Sequence, residues 1–277
     1  MFKILSIENL VPNIYQLKVE APAIARKARA GQFIILRVDD HGERIPLTIA
    51  DWDREEGSVT CVFNRVGHTT RKLAAFNAGD SIQNFVGPLG KFAPIENFGT
   101  AVLVVGGYAT AAIVPTARAL KEAGNRVVSI IRAPSKETLF GKERLGAFSD
   151  EIRIVMGDID QGIDGFIIEP LREIMEKEEV GRVITIGPTC VMKLVSSVTR
   201  PYGVKTLAAL NPIMIDGTGM CGVCRVVVGG ITQFACVDGP EFDAHEVDWD
   251  ILMARRCTYA GGDEPELTFQ CRNCAQW

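Results

Sequence analysis

Two hydrophobic rhythms divide the chain. In the first hundred residues, short runs rich in β-branched and aromatic side chains, over 14–21, 32–38, 45–50 and 58–66, are bounded by Pro22, Gly31, Asp39-Asp40, Gly57 and Gly67. Short strands separated by glycine and aspartate turns predict a small antiparallel β barrel. Residues 69–76 read as a short helix, and Gly79-Asp80 as a turn before a strand over 81–86. After Gly87-Pro88-Leu89-Gly90 the period changes. An apolar strand over 101–105 leads into a helical stretch ending near 123, followed by strands over 126–131 and 151–156. A helix over 169–179, a strand over 182–186, a helix over 189–198 and a short strand near 204–208 complete the series. Strands alternating with helices predict βαβ units and a parallel sheet. The expected divisions are a barrel over 1–96, an α/β domain over 97–208, a cysteine-bearing module over 209–250 and a tail of unknown role over 251–277.

Composition narrows the functional classes. A chain of 277 residues, 47% hydrophobic and 23% charged, is long enough for two domains with buried cores. With 30 basic against 34 acidic residues the net charge is −4, which argues against nucleic acid as a partner. Residues 99–117 carry no charge, yet Gly106, Gly107 and Pro115 interrupt them, so a strand, turn and helix are expected rather than a membrane span. The N-terminus lacks the basic and apolar regions of a secretory signal, which predicts a cytoplasmic protein.

The cysteines carry the sharpest chemistry. Asp216, Cys221, Cys224 and Cys236 are spaced D-x4-C-x2-C-x11-C. Plant-type 2Fe-2S proteins use C-x4-C-x2-C with a distant fourth cysteine, so this run matches with an aspartate in the first position. A carboxylate has the charge of a thiolate and can complete an iron site, while Gly217, Gly219 and Gly222 let the backbone close around it. A zinc site is the competing reading, because Cys271-x2-Cys274 supplies a second knuckle to pair with Cys221 and Cys224. Cys257, Cys271 and Cys274 have no place in the 2Fe-2S assignment, and Cys61 and Cys190 read as buried small hydrophobes.

Four further runs occur in order: Ala30-Gly31-Gln32-Phe33, Arg44-Ile45-Pro46-Leu47-Thr48-Ile49, Val66-Gly67-His68-Thr69-Thr70 and Gly87-Pro88-Leu89-Gly90. Their series resembles the ferredoxin-NADP reductase superfamily over residues 1 to about 250. With the cysteine run appended, it is similar to the electron-transfer subunits of that superfamily. These serve dihydroorotate dehydrogenases and, as the small subunit, NADH-dependent reduced ferredoxin:NADP oxidoreductases. The aspartate ligand points to the second group.

The resemblance implies an FAD-binding barrel, an NAD(P)-binding-like α/β domain and a 2Fe-2S module. Arg44 would pair with the FAD pyrophosphate, and Pro46, Leu47 and Thr48 would line the isoalloxazine, although many relatives have Tyr where Leu47 stands. Gly67, Thr69 and Thr70 would meet the pyrophosphate at a helix start, and Asn64 and Val66 would touch the flavin or the adenosine. Without the family, Arg44 reads as a surface arginine and Gly67 to Thr70 as an ordinary capping turn. For NAD(H), the implied contacts are Gly106, Gly107 and Thr110 in a glycine turn shorter than the family's, in which Tyr108 and Ala109 replace glycines. Gly187, Pro188 and Met192 form a second element, and Asp158, beside Gly157 and ahead of Gly165-Phe166, a third.

The implied function is electron relay between NAD(H) and a larger iron-sulfur flavoprotein, without a catalytic acid or base. Flavin takes two electrons as hydride and returns them singly, which the cluster requires. If the small-subunit likeness holds, the larger subunit uses NADP(H) and ferredoxin in flavin-based bifurcation. The alternatives are a relay subunit of a dihydroorotate dehydrogenase or a multi-subunit hydrogenase, or a zinc-bearing assembly subunit without redox cofactors.

Overall fold

Strands β1 (Phe2–Val11), β2 (Ile14–Glu20), β3 (Phe33–Arg37), β4 (Arg44–Asp53), β5 (Ser58–Asn64), β6 (Ser81–Ile82) and β7 (Asn84–Leu89) form one antiparallel sheet in the order β6-β1-β2-β5-β4-β3-β7. Only Gln83 separates the two edge strands, so the sheet curls into a nearly closed barrel, the expected N-terminal architecture. The inward period-2 positions, among them Leu17, Ile34, Leu36 and Phe63, fill its core. Strand β1 has no counterpart in the sequence expectation. Its register shifts between Ile4 and Ser6 and again between Asn9 and Val11, and Ile4 is its single buried residue, so no clean alternation marks it. The computed structural model describes residues 1–157 and 167–257.

The second sheet has five parallel strands: β8 (Thr100–Gly106), β9 (Arg126–Ala133), β10 (Glu151–Met156), β11 (Val180–Ile186) and β12 (Thr206–Ala209). Both faces are covered, as the continuous apolar runs require. Leu103 and Val105 face α4 (Val114–Glu122), whereas Val102 and Val104 face α6 (Ile168–Lys177) and α7 (Thr189–Thr199). The helix expected to run to residue 123 is broken. A four-residue turn of helix, α3 (Ala109–Ala112), ends at Ile113, and α4 restarts with Pro115 in its first turn, where a missing N–H costs nothing.

Beyond the sheet, β13 (Arg225–Val228) and β14 (Ile231–Phe234) make a hairpin, and α8 (Trp249–Cys257) closes the described chain. Strand β15 (Glu241–Asp243) pairs antiparallel with β12, so the second sheet takes its sixth strand from beyond residue 208. The cysteine-bearing segment has no private core. Cys224, Val226, Cys236, Phe242 and Trp249 pack with Phe33 and Ile35 of the barrel and with Met192 and Ala208 of the sheet domain. Among the described residues, no helix is long and apolar enough to cross a membrane.

Candidate functional site

A cavity of about 290 Å³ lies where the barrel meets the C-terminal edge of the parallel sheet. Open α/β sheets form their crevices there, because neighbouring strands send their following loops apart. One wall is β4, through Pro46, Leu47 and Thr48, with Asn64, Val66 and Thr70 beside it. The opposite wall is Tyr108, Ala109, Ala112 and Gly187 from the loops after β8 and β11. The third comes from Leu210, Asn211, Met214, Glu241 and Arg256. An ionic clasp holds the two large units together. Asp51, at the end of β4, accepts hydrogen bonds from Arg144 at 2.7 Å and Arg118 at 3.4 Å, and the Arg118 guanidinium lies 5.3 Å from the Trp52 ring centroid.

Six of the expected flavin contacts therefore share one wall. Asn64 Oδ1 is buried without a hydrogen-bond partner among the described residues, in a mostly apolar surround, a polar handle of the kind a ring with amide edges would satisfy. The site fits an isoalloxazine on that ground. The remaining expected flavin residues, Arg44, Gly67 and Thr69, are not among the cavity-lining residues. Arg44 is exposed at the start of β4 and does not line the cavity. Thr69 donates its hydroxyl to Glu43 at 3.0 Å, and the Thr70 hydroxyl accepts from the Val66 and Gly67 amides at 3.0 and 2.9 Å. Thr70 thus caps the start of α2 (His68–Ala74), the local reading that the capping turn allowed.

The expected nicotinamide residues divide likewise. Gly187 lines the cavity, and a Cβ there would stand 3.7 Å from the Gly106 amide nitrogen, so the turns after two adjacent strands approach each other closely. Gly107 has φ +59, the left-handed turn that opens α3. Gly106, Gly107, Thr110 and Pro188 are not among the cavity-lining residues; Thr110 is buried against Gly141 instead. Met192 does not line the cavity either. It is wholly buried in the core shared with Phe33 and Ala208, because one turn into α7 its side chain points beneath the sheet edge. Asp158, Gly165 and Phe166 lie outside the described residues, as do Cys271, Cys274 and the Cys257 side chain.

Sequence reading missed the third wall. Arg256 reaches back from α8, donates to Asn211 Oδ1 at 2.9 Å and to the Thr189 hydroxyl, and Asn211 in turn donates to the Gly187 carbonyl at 3.2 Å. Tyr108, the residue that spoils the glycine turn, is 40% exposed and lines the cavity. Glu241 lines it too, with its carboxyl pushed up to about 7 by burial, an effect that the Arg182 charge opposes.

The four expected metal ligands sit on one segment, but they do not all converge. Cys224 and Cys236 are buried with their Sγ atoms 3.2 Å apart, while Cys221 is exposed. Asp216 meets Cys221 through a backbone hydrogen bond, the Cys221 amide donating to Oδ2 at 2.8 Å, and its Oδ1 accepts from the Thr218 amide and hydroxyl. The Thr218 hydroxyl, followed by the Thr218 and Cys221 amides, holds the Asp216 carboxyl well below the usual carboxylate range. Among the described residues, no set of three or more His, Cys, Asp or Glu side chains is gathered as for a metal ion; the segment instead shows a sulfur pair and a hydrogen-bonded Asp216. The donor chemistry nonetheless fits iron. Burial together with Cys224 pushes the Cys236 thiol up to about 12, so a thiolate at this pair calls for a cation. Positive φ at Gly217, Gly219 and Gly222 gives the loop the tight turns that close it around its own centre.

The loop is also tied to the barrel. A Cβ on Gly217 would lie 2.7 Å from Leu89 Cδ1 and 2.8 Å from Ile35 Cγ1, so only glycine permits this approach. Ile35 sits two residues along the same face of β3 from Phe33, which lines the cavity. Cavity and loop are therefore neighbours along one strand, about 7 Å apart at that face.

Comparison with known proteins agrees with this layout. Residues 211–248 match the iron-sulfur cluster binding domain of dihydroorotate dehydrogenase B. The chain is 41% identical over 250 residues to a Thermotoga maritima protein described as a homolog of the dihydroorotate dehydrogenase B (NAD(+)) electron transfer subunit, covering 90% of this chain and 88% of that one. A chain solved in work on the NADH-dependent reduced ferredoxin-NADP oxidoreductase and flavin-based electron bifurcation superposes with a TM-score of 0.87 at 35% identity, covering 100% and 98% of the two chains. Phthalate dioxygenase reductase, at 18% identity and a TM-score of 0.59 over 85% of this chain and 93% of that one, shares the fold.

Proposed function

This chain belongs to the family of dihydroorotate dehydrogenase B electron-transfer subunits, and from that membership we propose that it relays electrons between NAD(H) and a larger iron-sulfur flavoprotein. It is an oxidoreductase-type electron-transfer subunit whose cofactors are FAD, a 2Fe-2S cluster and NAD(H). The observation that carries the relay is the shared face of β3, with Phe33 at the cavity and Ile35 beneath the cysteine loop.

Bound FAD would supply hydride exchange with nicotinamide and single-electron exchange with iron. The chain's own residues place and shield that exchange. Pro46, Leu47 and Thr48 form the wall that would hold the ring system, and the Asn64 carboxamide oxygen would accept a hydrogen bond from it. Tyr108 covers the mouth on the nucleotide side and keeps water from it. Arg256 fixes Asn211, which holds the Gly187 turn in place for the nicotinamide. Asp216, Cys221, Cys224 and Cys236 are the residues that would hold the cluster. The surface around Cys221 is apolar, with Met220 90%, Val237 45% and Ile215 42% exposed, and we assign it to the larger subunit.

The finer reading is a cytoplasmic complex in which the larger subunit uses NADP(H) and ferredoxin in electron bifurcation. The aspartate at the first ligand position and the full-length likeness to the bifurcating enzyme's chain support it. Anaerobic purification with flavin and metal analysis tests the relay: one FAD and two irons per chain, with flavin bleached by NADH, are expected. A colourless protein carrying zinc refutes it. Copurification with a flavoprotein that oxidises dihydroorotate would replace the bifurcating partner with a dihydroorotate dehydrogenase.

A further inference from the structure

Glu241 stands in the cavity without a role in the relay described above. It is the first residue of β15, paired with Ala209 at the C-terminal end of β12, on the same sheet face as Leu207 and Asp243. That position turns it toward the crevice between sheet and barrel, where it lines the same cavity as Pro46 and Thr48. Its neighbour Pro240 is pressed against Gly90, on which a Cβ would lie 3.0 Å from Pro240 Cδ and 2.8 Å from the Phe33 ring, so the backbone at this corner has little freedom to withdraw.

The carboxylate is poorly served as an anion. Its Oε2 is buried and has no hydrogen-bond partner among the described residues. The charges around it do not close the gap. Arg182 on β11 attracts it, but that guanidinium lies over the Phe98 ring at 4.1 Å and its Nε also lacks a hydrogen-bond partner among the described residues. Asp243 and Glu96 share the field of Arg182, and Arg256 across the cavity is committed to Asn211 and Thr189. A carboxylate so placed is close to the balance between its charged and neutral forms, and a new negative charge in the cavity tips that balance.

We propose that Glu241 is a redox-linked proton acceptor, taking up a proton when the flavin in this cavity is reduced and releasing it when the flavin is reoxidised. The proposal rests on the cavity being the flavin's. The balance is explicit. A hydride from the pyridine nucleotide brings two electrons and one proton to the flavin, leaving one net negative charge on it. Glu241 then binds a second proton, drawn from solvent, and becomes neutral. As the two electrons leave singly for iron, both protons depart. The carboxyl thereby offsets the charge that would otherwise oppose reduction in a low-dielectric site.

The test is a potentiometric titration of the full chain in its purified complex, following flavin absorbance from about pH 6 to 9 with Glu241→Gln alongside. Above neutrality the wild type should take up two protons per electron pair and the variant one, so the midpoint of the wild type falls twice as steeply with pH. Redox-difference infrared spectra should show a carboxylic-acid band on reduction that Glu241→Gln lacks. One proton per pair in the wild type, or identical slopes in both proteins, overturns the proposal, and the wild-type measurement decides it even if the variant does not fold. Leu47→Trp, which fills the cavity, separates the premise. Retention of FAD there with unaltered affinity refutes the location of the flavin, whereas loss of FAD there with unchanged slopes in Glu241→Gln refutes only the role of Glu241.

Discussion

The cavity and the cysteine loop, neighbours across one strand, hold their shapes by different means. The cavity is framed by ladders of two sheets whose cores are complete, and its two large walls are fastened by Asp51 with Arg144 and Arg118. The loop has no core of its own. Glycine turns, the amides gathered by Asp216 and one buried sulfur pair define it. A framework closed by apolar burial is ready before a cofactor arrives, whereas a loop whose strongest donors are spent on one another awaits an ion to reorganise them.

Removing one donor should break the loop and spare the cavity. Cys224→Ser is expected to abolish the cluster's visible absorption and iron content while FAD remains bound, and unchanged iron would mean that Cys224 is not a ligand. The reverse experiment attacks the framework. Leu103, fully buried between β8 and α4, should cost about 2–5 kcal/mol as Leu103→Ala, read as a shift in the denaturant midpoint of the whole chain.

Glu241 sharpens the comparison, because it is a polar group that the framework tolerates at a cost. Its folded pKa, about 7, lies above the ordinary value of 4.5, so the unfolded chain releases this proton first and stability falls as pH rises from about 4.5 to 7. Glu241→Gln removes that slope. Its stability relative to wild type should improve by up to ~3 kcal/mol across this window in the flavin-free protein, as measured by urea unfolding at several pH values. The smallest effect is expected at Asp216. Asp216→Cys should keep a 2Fe-2S cluster and change only its potential and EPR spectrum; identical spectra would show that the carboxylate never meets iron.

Much of the fold was legible because its signals are local. The strands over Ile14–Glu20 and Ser58–Asn64 alternate or run apolar between glycine and aspartate turns, and Glu151–Met156 matches its expectation residue for residue. Strand Phe2–Val11 escaped notice because bulges disrupt its period, and the three-residue strand Glu241–Asp243 because it owes its existence to pairing with Thr206–Ala209. Within the site, Pro46, Leu47, Thr48 and Asn64 lay in recognisable runs. Met192, inside the helix that follows the Gly187 turn, packs into the core, a placement its sequence run did not reveal.

The spacing of Asp216, Cys221, Cys224 and Cys236 marked, before any folding was considered, one short segment as the candidate for a metal centre, and the two hydrophobic periods determined a barrel followed by a parallel sheet. Only the tertiary structure decided that Phe33 and Ile35 put the cavity beside that segment, that Arg256 returns from the last described helix to hold Asn211, and that Glu241 Oε2 is buried without a hydrogen-bond partner among the described residues. Periodicity and ligand spacing are properties of neighbours along the chain. Burial, and the electrostatic environment that burial creates, depends on which distant segments come to lie together.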